Sequence, residues 1–310
     1  MKLDINNSIM VYYLCLALIS ILFSSCTYSS NAITGLKPDG QSKMVLYGYL
    51  SPGGVDLTIT KSIPTGESFQ REDLLLDEPA ECILWSNDTI IGEIAYDPIL
   101  KKYTYTGEVV ADKTYRITAT ASNLPEVEVV GLTFPPPPEQ VHIEFLTNSS
   151  ERTTPVRVSA ISHGQTHFLL IPLIEESVDA EFTRNPSIET EYDALYRDEC
   201  GIVHSVFRLS FSNACSTGDS TLLEGNYTYP NYYFDDSNTG VRTELPPDRI
   251  GVQIGTISLT DYGYFKSTRT NQNFFEDYLT REPLDQYNIS GGYGRIVVIN
   301  GPPPFWHKPE

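Results

Sequence analysis

His163 and His167 stand four residues apart, a spacing that on a helix brings two imidazoles to one side and lets them share a zinc ion. Gly164 stands where a metalloprotease helix would carry its glutamate, so the pair reads instead as flanking a hairpin turn at His163-Gly164-Gln165. Gly218-Asp219-Ser220 places a hydroxyl beside a carboxylate, but Ser220 is followed by Thr221 and the chain contains no Asp-x-x-His, so a Ser-His-Asp mechanism has no basis here. Asp235-Asp236-Ser237-Asn238-Thr239-Gly240 alternates oxygen ligands like part of a calcium loop, yet the closing glutamate is displaced to Glu244, and a solvated acidic loop explains it better. Gly291-Gly292-Tyr293-Gly294 leads into the strand-like Ile296 to Ile299 rather than a helix, which fits a tight turn and not a phosphate cradle. The expectation is a protein without catalytic residues, metal or cofactor.

One thiol does have a chemical setting. Lys2, the apolar run Ile9 to Phe23 and the small residues Ser24 and Ser25 precede Cys26, the layout of a secretory signal too short for a comfortable membrane span. The segment Leu22-Phe23-Ser24-Ser25-Cys26 resembles the bacterial lipoprotein signal, in which the cysteine takes diacylglyceryl, is further acylated with fatty acid such as palmitate, and becomes the new N-terminus. Several acyl chains on one residue hold more firmly than the single chain that binds only marginally. Residues 1–25 are thus expected to be signal peptide, and 26–40 a lipidated cysteine with a polar tether.

The 21 Lys+Arg against 40 Asp+Glu give a net charge of −19, which argues against nucleic acid because little here would neutralise phosphates. Beyond Cys15 and Cys26 the chain carries Cys82, Cys200 and Cys215. Cys200 and Cys215 bracket the strand-like Ile202 to Phe211 and are expected to form a disulfide, which export permits. Cys82 reads as a buried apolar residue. The most aromatic segment supplies Tyr227, Tyr229, Tyr232, Tyr233 and Phe234, either strand packing or a surface for a glycan or peptide.

These residues need a β scaffold to position them. Val45 to Leu50 and the alternating Val55 to Thr60 flank Ser51-Pro52-Gly53-Gly54, a hairpin signature. Further strands are expected at Glu81 to Trp85, Thr89 to Ala95, Lys102 to Thr106, Thr114 to Ala121 and Val127 to Leu132. Short strands at this spacing imply a sandwich, Ig-like or transthyretin-like, over residues 41–134. Four prolines, Pro135 to Pro138, suggest a stiff spacer at 135–140. Residues 141–300 are read as a second β-rich domain. It begins with Val141 to Leu146, then a hairpin of Pro155 to Ser162 with His167 to Ile174. It continues with Ile250 to Leu259, one helix capped by Thr260 or Asp261 and running to about Asn273, and Arg295 to Ile299 closing its sheet. A short helical piece around Glu189 to Tyr196 and a proline-rich tail at 301–310 complete the reading.

Ile257-Ser258-Leu259-Thr260, Tyr262-x-Tyr264-x-x-Ser267, Glu282-Pro283 and Asn288-Ile289-Ser290-Gly291-Gly292-Tyr293-Gly294 resemble a family of Bacteroidota outer-membrane lipoproteins of unknown function, often encoded beside TonB-dependent receptors. Gly48-Tyr49-Leu50, Val55-x-Leu57-x-Ile59, Gly66 and Tyr115-Arg116-Ile117 agree with its N-terminal part. Asn300-Gly301-Pro302-Pro303-Pro304-Phe305-Trp306-His307 departs from the family's short hydrophobic ending, and residues 212–240 match poorly. The resemblance implies a lipid-anchored, non-enzymatic accessory of a TonB-dependent receptor in nutrient uptake. A stand-alone glycan- or peptide-binding lipoprotein using the aromatic segment is the alternative. Thr27-Tyr28-Ser29-Ser30 lacks the acidic run that some surface-displayed members carry after the cysteine, so the periplasmic face of the outer membrane is favoured.

Overall fold

Period-two alternation of buried and open residues runs through most of the strands, and it sorts them into stacked sheets. The computed structural model describes residues 41–63, 71–98, 100–146, 153–176, 186–189, 203–205, 208–213, 220–229, 232–234, 240–242, 247–268 and 288–309. The chain divides into two units, residues 1–41 with 64–66 and residues 42–63 with 67–310; every element below lies in the second. Cys26, Cys200, Cys215, Asp235 to Thr239 and Glu244 fall outside the described residues.

The N-terminal half contributes β1 (Met44–Ser51), β2 (Gly54–Lys61), β3 (Glu81–Ser86), β4 (Thr89–Glu93), β5 (Ala95–Asp97), β6 (Lys102–Tyr105), β7 (Thr114–Thr120) and β8 (Val127–Thr133). From the rest come β9 (Gln140–Phe145), β10 (Thr153–Ile161), β11 (His167–Glu175), β12 (Ser187–Glu189), β13 (Val203–Ser205), β14 (Arg208–Ser212), β15 (Ser220–Thr228), β16 (Tyr232–Phe234), β17 (Gly240–Arg242), β18 (Arg249–Ile257), the helix α1 (Leu259–Thr268), β19 (Ile289–Ser290), β20 (Tyr293–Val298) and β21 (Phe305–His307).

The first sandwich pairs a sheet ordered β20-β1-β2-β6-β5 with one ordered β19-β8-β7-β3-β4. Leu46, Leu50 and Leu57 from one sheet meet Cys82, Leu84, Ile117 and Val129 from the other, and each fully buried leucine contributes roughly 1.5–3 kcal/mol. Tyr115 locks the turn before β7: its hydroxyl accepts from Val110 N at 2.7 Å and donates to Val110 O at 3.0 Å, a tyrosine-corner contact of the kind seen in Ig-type sandwiches. Cys82 is fully buried in this core, and burial pushes its thiol up to about 12, so it is neutral and unreactive in the folded chain.

The second sandwich pairs β12-β15-β10-β9 with β13-β14-β11-β18-β21. Here the expected hairpin of Pro155 to Ser162 with His167 to Ile174 is corrected: β10 and β11 belong to different sheets. The cause is that Phe168, Leu169 and Leu170 are all fully buried, which suits a central strand covered on both faces better than a hairpin arm with one wet face. Asn213 staples the crossing, since its Oδ1 accepts from Thr166 N at 2.7 Å and its Nδ2 donates to Gly164 O at 2.8 Å. Ser187 to Glu189, which ends at the start of the expected helical piece around Glu189 to Tyr196, forms β12 against β15.

Arg295 to Ile299 does not close a sheet of the second sandwich. Instead β20 runs parallel to β1, with Val45 opposite Tyr293 and Leu50 opposite Val298. Ile289 of β19 meets Val129 of β8. Residues 288–298 are thus built into the first sandwich, which corrects the assignment of all of 141–300 to one domain. The chain then crosses over. Asn300 pairs with Thr256, and Phe305, Trp306 and His307 add β21 to the edge of β18, so the expected proline-rich tail is partly a strand.

Two faces of β20 serve two cores. Ile296 and Val298 point into the first sandwich, whereas Val297 and Ile299 join Leu169, Ile171, Tyr262 and Phe265 under α1. Asp261 caps α1 with Ser258: Ser258 Oγ accepts from Asp261 N at 3.0 Å and donates to Asp261 Oδ2 at 2.7 Å. The cap is therefore Ser258 and not Thr260 or Asp261, with the Asp261 carboxylate at the third helical position accepting from the capping hydroxyl. Pro135 to Pro138 are held as well, since Asn300 Nδ2 donates to Pro135 O and Thr256 Oγ1 to Pro136 O, both at 2.6 Å.

His167 stacks on Tyr262 at 4.4 Å, and its Nδ1 is buried without a hydrogen-bond partner among the described residues. Burial lowers its pKa below the ordinary histidine value. On acidification the unfolded chain takes the proton first, so stability is fully present above about pH 6.5 and declines as pH falls below it through the lower folded pKa. His167→Phe should flatten that segment of a stability-versus-pH curve, measured by urea unfolding between about pH 7.5 and about pH 5.

Candidate functional site

The outer face of the β19-β8-β7-β3-β4 sheet carries an open groove of about 560 Å³ lined by Glu81, Ile83, Trp85, Arg116, Thr118, Thr120, Glu126, Glu128 and Ser290. The strand period puts these residues there: with Cys82, Leu84, Tyr115, Ile117 and Ala119 in the core, their alternates must face out. Register then sets them side by side, Glu81 opposite Thr120, Ile83 opposite Thr118 and Trp85 opposite Arg116.

Arg116 and Trp85 form the fixed centre. The guanidinium lies 4.4 Å from the indole centroid, its Nη1 donates to Glu128 Oε1 at 3.0 Å, and Trp85 Nε1 donates to Thr118 Oγ1 at 3.0 Å. Arg116 and Glu128 are 31% and 40% exposed, so the ion pair contributes at most about 1 kcal/mol and the stack roughly 0.5–1 kcal/mol. The Arg116 Nε is buried without an acceptor among the described residues, which costs some of that gain. The arrangement therefore positions side chains more than it stabilises the fold.

Two β-bulges bracket the pair. The β3–β4 register shifts between Leu84 and Trp85, and the β7–β8 register shifts between Tyr115 and Ile117, where Gly131 adopts φ +70°. Bulges re-aim side chains and are enriched beside functional sites. On the same sheet Ile90 is 56% and Val130 59% exposed, an apolar margin next to Trp85 and Arg116.

The residues singled out from the sequence lie elsewhere. Tyr227 and Tyr229, expected at a binding surface, are core residues at 0% and 5% exposure; Tyr227 packs on Phe145 and its hydroxyl donates to Leu173 O. They fill the second sandwich because β15 turns their face inward against β10 and β18. Tyr232, Tyr233 and Phe234 form β16, paired with β17. His163 is exposed in the β10–β11 turn, with Nε2 3.0 Å from Glu139 Oε1, and no metal-binding group of His, Cys, Asp or Glu occurs among the described residues. Gly291 to Gly294 make the tight β19–β20 turn. Trp85, Arg116 and Glu128 were missed as a site, although the alternation in Glu81 to Trp85 and Thr114 to Thr120 already placed Trp85 and Arg116 on outward positions.

The chain belongs to the family described as Domain of unknown function (DUF4249), whose profile matches residues 34–300. Residues 301–310, which include β21, lie beyond that match. No curated protein matches the chain. A solved structure from Corynebacterium diphtheriae, named for an inferred membrane anchor, is similar at 11% identity with a TM-score of 0.19, over 70% of this chain and 54% of that one. This chain thus spans about half of that protein, and a superposition so poor carries no argument about fold or function. Among the described residues no helix is long and apolar enough to cross a membrane.

Proposed function

We propose that this DUF4249 member is a non-enzymatic, lipid-anchored accessory protein of the outer membrane that docks on a TonB-dependent receptor in nutrient uptake, using the Trp85–Arg116 face. The observation that carries the docking half is the bulge-bracketed Trp85–Arg116 stack beside exposed Ile90 and Val130, because tryptophan and arginine dominate interface energetics and a preorganised pair loses little entropy on binding. The anchor half rests on Cys26 and the lipoprotein-like segment before it. Tethering near a receptor raises effective concentration and lets a modest interface suffice. The periplasmic face of the outer membrane is the favoured side.

A glycan-binding role loses support at Tyr227 and Tyr229 and at Trp85. Tyr227 and Tyr229 are buried, and Arg116 covers a face of the Trp85 ring on which a sugar would stack. Affinity purification from the native membrane in mild detergent, with mass spectrometry of what co-purifies, tests the proposal. The receptor should be recovered with the wild type, lost when Cys26→Ala releases the protein from the membrane fraction, and reduced about tenfold by Trp85→Ala. Failure of the wild type to recover any receptor would overturn it.

A further inference from the structure

The Trp85–Arg116 groove has more acceptors than donors, and this imbalance specifies the chemistry of its occupant. Glu128 is neutralised by Arg116. Glu81 and Glu126 are exposed, line the groove, and their carboxylates make no ion pair or hydrogen bond among the described residues. Thr120, opposite Glu81, adds a hydroxyl at the same end of the groove, and Ser290, opposite Glu128, adds one beside the ion pair. A carboxylate accepts only, whereas an ammonium offers three donors and no acceptor. Two uncompensated charges therefore favour a cation there and disfavour an anion, and the guanidinium over Trp85 disfavours a neutral sugar.

The shape adds a second constraint. Arg116, Thr118 and Thr120 succeed one another at alternate positions of β7, so the groove runs about 13 Å along the strand. That length holds roughly four residues of extended chain, whose same-face side chains recur about every 7 Å. Ile83, between the acidic end and Trp85, offers an apolar floor for the methylene stem of a lysine.

Resting on the docking proposal, we infer that the segment taken by this groove is an extended, lysine-bearing stretch of the partner protein, with an ammonium group between Glu81 and Glu126 and the neighbouring side chain against Trp85 and Arg116. Charge complementarity fixes the occupant as cationic, and the linear groove fixes it as a chain segment rather than a small amine.

Isothermal titration of the full chain with an acetyl- and amide-capped extended peptide that carries one lysine, with a leucine two residues from it on the same face and valine or threonine elsewhere, tests this. Binding is expected, weakening with added salt and about tenfold weaker in the Glu81→Gln/Glu126→Gln double variant. Both substitutions are at exposed positions and leave the core untouched. The same peptide with its lysine Nε-acetylated should not bind. Equal binding by the acetylated peptide, an unchanged affinity in the double variant, or spermidine binding as tightly as the peptide would each overturn the inference. These outcomes are separable from failure of the docking proposal. Unchanged receptor recovery by Trp85→Ala defeats the docking proposal whatever the peptide does, and an unresponsive peptide alongside lost recovery defeats only the lysine assignment.

Discussion

Asp261→Ala is expected to lower the stability of the folded chain by about 3–5 kcal/mol, the range for removing one partner of a buried ion pair. Arg295 Nε and Nη2 each lie 2.8 Å from Asp261 Oδ1, and the two side chains are only 6% and 7% exposed. Arg295 also lies under the Tyr264 ring at 5.3 Å. Removing the carboxylate leaves a buried guanidinium without its counter-charge, which is far more costly than the net worth of the pair. The same change deletes half of the Ser258–Asp261 cap. Ser258→Ala separates the two effects, because loss of the cap alone costs about 1 kcal/mol. Equilibrium urea unfolding of both variants reads the difference, and a loss for Asp261→Ala no larger than that for Ser258→Ala would refute the assignment.

Gly294→Ala is expected to be comparably damaging, at about 3 kcal/mol or more. Gly294 sits at φ +105°, and a Cβ there would lie 2.0 Å from the carbonyl oxygen of Leu46. That oxygen is backbone of β1, so relief requires β1 and β20 to move apart and their parallel pairing to fail. Gly131 supplies the control: it has φ +70° with nothing within 4 Å of the added carbon. Gly131→Ala should therefore cost only the dihedral strain, about 1 kcal/mol. Thermal unfolding of the two variants distinguishes steric from conformational cost, and equal losses would contradict the packing account.

What the sequence made legible was local. The β1–β2 hairpin and β3, β6, β7 and β8 followed from alternation and turn residues, and the observed strands at Glu81–Ser86, Lys102–Tyr105, Thr114–Thr120 and Val127–Thr133 lie close to those expectations. Pairing between distant segments was not legible. His167 to Ile174 and Ile296 to Ile299 are apolar on both faces, and such runs announce burial without naming the neighbour. Alternation and chain order alone therefore suggest a β10–β11 hairpin and place β20 in the wrong sandwich. The aromatic segment misled for a related reason: tyrosine serves a wet surface and a hydrogen-bonded core equally well, and the Tyr227 hydroxyl finds its acceptor on Leu173, far away in sequence. The groove at Trp85 needed two registers and two bulges at once, none of which a single chain segment encodes.

The pairing of β1 with a strand from the far end of the chain has a consequence for biogenesis. β1 is the first of the described strands to be synthesised, but the strand that completes its edge starts only at Tyr293. Until then Met44 to Ser51 has β2 on one side and an open row of backbone donors and acceptors on the other, a template for pairing with the wrong chain. Closing the gap brings together positions at nearly opposite ends of the described sequence, the kind of pairing that folds slowly and stays aggregation-prone meanwhile. The protein should therefore depend on a holding chaperone until the chain is complete, and the two sandwiches should melt in one transition, since the outer face of β20 packs with Leu169, Ile171 and Ile257 of the second.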